Sequence, residues 1–169
     1  MSKKLLSTCV VCGLTLLSLP SGRAQTGTPA SELVGSWEFT LTPNVSKAPK
    51  TISGLATFTS DGTVIETDTS EVVPIVVSTT GTTVFGTPGH GIWQPGPVFG
   101  MLFVQFTNLF ANLNSTLHSK RIVTMTVKLN STGDQFSGGY SFEIDDPTGH
   151  HTGGSGTVAA NLMRHPLLP

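Results

Sequence analysis

From His118 to Leu129 the chain settles into strict alternation: Val123, Met125, Val127 and Leu129 are separated by Thr124, Thr126 and Lys128. A two-residue period suits a strand with one buried face and does not suit a helix. The same period recurs along most of the chain, so the apolar face of the sheet must be buried against another sheet or by closure of the sheet on itself. Helix signals are nearly absent, and Thr, Val, Phe, Gly and Ser dominate.

Eight strands are predicted. The first is "SWEFTLT", with Trp37, Phe39 and Leu41 on one face. The second covers about Thr51 to Thr59, and the "SDG" turn, Ser60 to Gly62, leads into a third from Thr63 to about Thr69. The fourth is "HGIWQ", His90 to Gln94, followed by Pro95-Gly96-Pro97 and a long fifth strand from Val98 to Asn108. The sixth is His118 to Leu129. "NSTGD" turns it into the seventh, where Phe136, Tyr140, Phe142 and Ile144 share a face. "DPTG" precedes the eighth, about Gly154 to Met163. Val72 to Val77 reads as a ninth strand or a strand-like flap.

Eight antiparallel strands joined as neighbours predict an all-β, up-and-down β-barrel, with a two-sheet sandwich as the rival. Short connections ("SDG", "PGP", "NSTGD") alternate with longer ones (Pro43 to Lys50, Ser70 to Gly89, Leu109 to Leu117). In a meander, alternate connections share an end. One end is therefore closed, and the other carries the adaptable loops on which binding residues usually sit.

The first residues read as a signal peptide, 1–24. Lys3 and Lys4 precede an apolar run from Leu5 to Leu19, and Gly22-Arg23-Ala24 offers a cleavage site. A flexible leader, 25–32, and a single barrel domain, 33–165, follow. Cleavage removes Cys9 and Cys12, so the mature chain carries no disulfide and no cysteine metal site. It also removes three of the nine basic residues and none of the ten acids, leaving a net charge of −4 with His neutral. No basic stripe remains for nucleic acid, and no second apolar run is long enough to span a bilayer. The expected location is secreted or periplasmic.

"GSW", Gly35 to Trp37, resembles the G-x-W at the start of the first strand in the lipocalin-like barrels of the calycin superfamily. The resemblance implies that the tryptophan packs at the closed end. It also implies that an arginine near the end of the last strand, here Arg164 in "NLMR", lies across it in a cation–π stack. The "PGHGIW" run, Pro88 to Trp93, is similar to a segment of secreted bacterial proteins, a likeness that brings no activity with it. Function follows the barrel. The leading expectation is binding of a small apolar or amphipathic molecule. One alternative is a non-nucleophilic enzyme of isomerase or cyclase type, which the calycin resemblance allows because some calycin-like barrels, the allene oxide cyclases among them, catalyse rearrangements. The other is a filled-barrel interaction module.

Candidate contacts come from the inward faces and the open rim. Phe39, Phe58, Met125, Tyr140 and Phe142 would line or fill the interior. His90, His118 and the His150–His151 pair reach the open end from three segments, beside Asp68, Glu71, Asp145 and Asp146. Neutral imidazole with carboxylate suits zinc, but adjacent His150 and His151 point to opposite faces in an extended chain, and the preferred reading has no metal and no cofactor. His90 and Tyr140 are the favoured polar contacts. If Trp93 points inward, a regular strand turns His90 outward, so an inward His90 requires a bulge at Gly89–Gly91. No G-x-S-x-G elbow and no dinucleotide signature is present, and no catalytic residue is assigned. Neighbouring aspartates and glutamates are expected to be exposed and solvated. The fifth strand is apolar on both faces, Phe99, Met101 and Phe103 against Leu102, Val104 and Phe106, so a lid, a docked loop or a second copy of the chain would cover its outer side.

Overall fold

A computed structural model describes residues 33–44, 51–77 and 81–164. The predicted signal peptide and leader lie outside the described residues, as do 45–50 in the first long loop and His165 at the predicted domain limit. The strands are β1 (Gly35–Pro43), β2 (Ile52–Phe58), β3 (Thr63–Asp68), β4 (Ile75–Val76), β5 (Thr83–Gly86), β6 (Gly89–Pro95), β7 (Met101–Asn112), β8 (Leu117–Leu129), β9 (Gln135–Asp145) and β10 (His151–Leu162). A single 3-10 turn, Thr69–Glu71, follows β3.

All pairings are antiparallel, and the order β1-β2-β3-β6-β7-β8-β9-β10 returns to β1. Closure excludes the two-sheet sandwich, because β1 pairs with β10 and β7 pairs with β8. Ten strands make eight staves for a local reason. β5 and β6 both pair with β7, Gly86 with Phe110 and His90 with Thr107, and are interrupted only by Thr87 and Pro88. Proline cannot donate to the ladder, so the stave breaks there. The predicted ninth strand exists as the two residues of β4, which pair with β5 alone and form a hairpin over the rim.

The register defines two ends. Trp37 faces Leu162, Gly35 faces Phe58, and Leu129 faces Phe136, all at the closed end. His151 faces Asp145 at the open end, where Val84 meets Asn112. The described chain enters at Leu33 and leaves at Arg164, both at the closed end.

The closed half is filled. Trp37 and Leu33 are fully buried, Trp37 packs on Phe136 with ring centroids 5.0 Å apart, and Phe58 meets Trp93 and Phe136 edge-on. The indole N–H groups are satisfied: Trp37 Nε1 donates to the Leu33 carbonyl at 2.8 Å and Trp93 Nε1 to the Thr59 carbonyl at 3.0 Å. The expected Arg164–Trp37 stack is corrected. Leu33 plugs the end beneath the indole, and Arg164 turns outward, 68% exposed, to bond Asp134 Oδ2 at 2.7 Å. On β7, Leu102, Val104 and Phe106 are the inward face, while Met101 and Phe103 are half-buried outside and Phe99 is exposed before the strand.

Candidate functional site

The open half of the interior is built by the same alternation carrying different residues. On β3 the inward row runs Val64, Glu66, Asp68. On β7 it runs Phe106, Asn108, Phe110, and on β8 it continues from Val123 to Arg121 and Ser119. Five polar side chains therefore enter the barrel, and all five are buried. The expected solvation of neighbouring aspartates and glutamates is corrected for Glu66 and Asp68: Glu66 is only 1% exposed.

Burial on this scale requires pairing. Arg121 Nη2 bonds Asp68 Oδ2 at 2.6 Å. Asn108 Oδ1 accepts from Arg121 Nε at 3.1 Å and Nη2 at 2.9 Å, while Asn108 Nδ2 donates to Glu66 Oε2 at 3.0 Å and to the Thr87 carbonyl. One amide thus links the guanidinium to the second carboxyl. Asp68 also caps the 3-10 turn: its Oδ1 accepts from the Ser70 N–H at 2.7 Å, and its own N–H donates to Glu71 Oε1 at 3.1 Å. Arg121 lies over the Phe110 ring, 5.3 Å from its centroid.

The two carboxyls are pushed in opposite directions. Burial raises Asp68, but the Arg121 charge and the bonds from Ser70 and Arg121 outweigh it, so Asp68 is held below its ordinary range and ionised. Burial raises Glu66 as well, the Asp68 charge adds to it, and the Asn108 bond only partly offsets them, so Glu66 is pushed up to about 7. Its Oε1 has no partner among the described residues, and neither has Ser70 Oγ.

Beside this cluster is an apolar chamber of about 200 Å³, walled by Leu41, Ile52, Ile75, Phe110, Val123, Tyr140, Phe142 and Ile144, with Arg121 in its lining. Tyr140 and Phe142 stack at 6.4 Å. They fit because the facing residues of β10 are glycines: a methyl on Gly156 would come within 2.6 Å of the Tyr140 ring, and one on Gly154 within 2.8 Å of Phe142. Burial raises the Tyr140 hydroxyl against a smaller opposing effect of Arg121, so it stays a neutral donor at neutral pH. Sharing Ile75, Phe110 and Ile144, a second cavity of about 370 Å³ adjoins the chamber and adds Val77, Val84, His118, Ser119, Asp146, His150 and Thr152. It forms the vestibule of the chamber.

The predicted contacts separate accordingly. Tyr140 and Phe142 line the chamber and His118 lines the vestibule. Phe39, Phe58 and Met125 are buried filling in the core and line neither cavity. His90 is corrected: β6 is regular from Gly89 to Pro95, Trp93 points inward, and His90 is exposed on the outer wall opposite Ile65 and Thr107. The flanking glycines serve the inside instead. A methyl on Gly89 would come within 2.6 Å of Glu66 Oε2, and one on Gly91 would strike the Gln105 carbonyl. His150 reaches the vestibule, but His151 turns outside to Asp145 at 2.6 Å. Asp146 accepts from Thr148 and from the His150 N–H within its own turn. Among the described residues no group of three or more His, Cys, Asp and Glu is placed to hold a metal ion. Glu66, Asn108 and Arg121 were not anticipated, although their parity with Val64, Phe106 and Val123 marks them as inward.

The architecture is that of a closed eight-stranded antiparallel barrel, consistent with a calycin-like fold. No protein-family model, curated protein or solved structure matches the chain.

Proposed function

We propose that this protein, after export, binds a small amphipathic molecule inside the open half of its barrel. The observation that carries the reading is the apolar chamber with two polar groups, Arg121 and Tyr140, in its wall. Ligand sites are typically apolar, with a few polar groups that fix orientation. Burial of apolar ligand area supplies affinity at about 25 cal/mol per Å² before the cost of immobilisation.

Proton-transfer catalysis is the second reading, favoured by a buried carboxyl that titrates near neutrality. Glu66 is not in the chamber wall, which sits behind Asn108 from its side, and binding therefore leads. The test is saturable binding of the neutral fluorophore N-phenyl-1-naphthylamine, with Ile52→Trp filling the chamber from its wall. Wild-type protein is expected to bind one equivalent and the variant to lose binding while keeping its far-UV spectrum. Unchanged binding by the folded variant would place the fluorophore elsewhere and reject the chamber as the site.

A further inference from the structure

Among the described residues Arg121 is the one cation in the chamber wall, and its charge is already matched by Asp68. Nη2 is held by Asp68 and Asn108, Nε by Asn108, and Nη1 makes no hydrogen bond among the described residues. The N–H groups of Nη1, near a neutral tyrosine hydroxyl, suit an oxygen of a carboxylate through a charge-assisted hydrogen bond. An added anion meets a charge problem, however. With Glu66 ionised, the interior already holds two carboxylates against one guanidinium. A third negative charge in a desolvated barrel is strongly disfavoured.

Glu66 resolves it. Its carboxyl is buried, it touches the Arg121 system through the Asn108 amide, and its Oε1 is unpartnered. We propose, resting on the chamber as the binding site, that the ligand is an apolar molecule with a single carboxylate head on Arg121 and Tyr140, and that Glu66 takes up one proton as it binds. The interior charge is then one negative both before and after binding. The groups facing Glu66 permit this exchange. Asp68 and Glu71 favour its proton and Arg121 opposes it. β7 contributes the neutral Asn108, β6 turns Gly89 and Gly91 inward and His90 outward, and β2 carries no titratable residue. Glu66 does not line the chamber and acts through Asn108, as a positioning residue.

The sign of the linkage follows. The bound state holds the extra proton, so affinity is highest below the Glu66 value of about 7 and falls about tenfold per pH unit above it. The experiment is calorimetric titration of the full protein with octanoate and with 1-octanol, at about pH 8 and about pH 5.5, in two buffers of different ionisation enthalpy. At the higher pH octanoate is expected to take up about one proton per ligand, and at the lower pH far less; octanol is expected to bind with none. Glu66→Gln keeps an acceptor for Asn108 and is expected to bind octanoate with no proton uptake and a flat pH profile. Octanol binding without octanoate binding, or octanoate binding without proton uptake at the higher pH, overturns the proposal and leaves the chamber reading standing. Undiminished uptake in Glu66→Gln overturns the role of Glu66. Failure of both probes to bind removes the chamber reading and the proposal with it. The wild-type titrations decide the matter even where the variant does not fold.

Discussion

The two halves of this barrel share eight staves and one alternation, yet hold opposite contents. The closed half buries Trp37, Phe58, Trp93 and Phe136 in edge-on and tilted contacts, with both indole N–H groups bonded to backbone carbonyls. The open half buries two carboxyls, a guanidinium and an amide, and leaves a chamber beside them. The difference separates two physical tasks. Close-packed aromatics yield stability and a single arrangement. Buried charges yield little net stability but create a site whose properties depend on proton and ligand occupancy.

The contrast breaks most clearly at Trp37. Trp37→Ala empties the middle of the filled half and is expected to cost about 3–5 kcal/mol, measured by urea unfolding. A cost below about 1 kcal/mol would mean that the closed half is not the stabilising one.

Glu66→Gln sharpens the contrast in the opposite sense. Glu66 titrates near 7 in the folded protein, against an ordinary value of 4.5. Below about 4.5 it is protonated in both folded and unfolded chains and makes no difference; as pH rises from about 4.5 to about 7 the unfolded chain gives up its proton while the folded one keeps it, and folded stability is lost. The variant is therefore expected to match wild type near pH 4.5 and to exceed it by about 3 kcal/mol near pH 8, at 1.36 kcal/mol per pKa unit. Equal differences at both pH values in unfolding titrations would assign that titration to another group.

The smallest effects belong to the outside. Arg164→Ala removes an exposed ion pair with Asp134 and is expected to cost no more than about 1 kcal/mol. His90→Ala is expected to change stability by less than about 0.5 kcal/mol and to leave fluorophore binding unaltered. A large effect of either on binding would mean that function extends over the outer wall.

The fold was legible because period-2 alternation survives along nearly every stave, and turn residues such as Ser60-Asp61-Gly62 mark the reversals. Thr87-Pro88 hid the continuity of β5 and β6, since a proline in mid-stave reads as a loop. Tyr140 and Phe142 were readable from parity with Phe136. His90 was misread because its glycine neighbours were credited to the histidine, when they make room for Glu66 and for the β7 backbone. The polar cluster was hidden for a different reason. Parity with Val64 and Val123 is consistent with Glu66, Asp68 and Arg121 inside, but charge argues for solvent unless a partner is known, and Asp68 and Arg121 are 53 residues apart in sequence. Only closure of the barrel brings them together.

The chain's entry at Leu33 and exit at Arg164, side by side at the filled end, has a practical consequence. A tether fused to either side of the described barrel anchors the molecule by its base and holds the vestibule toward the surrounding solution. A reporter joined there stays clear of whatever passes through the mouth. A linker from Arg164 back to Leu33, with a new break in the Asn130–Asp134 turn at the same end, would rewire the polypeptide and leave the vestibule loops uncut.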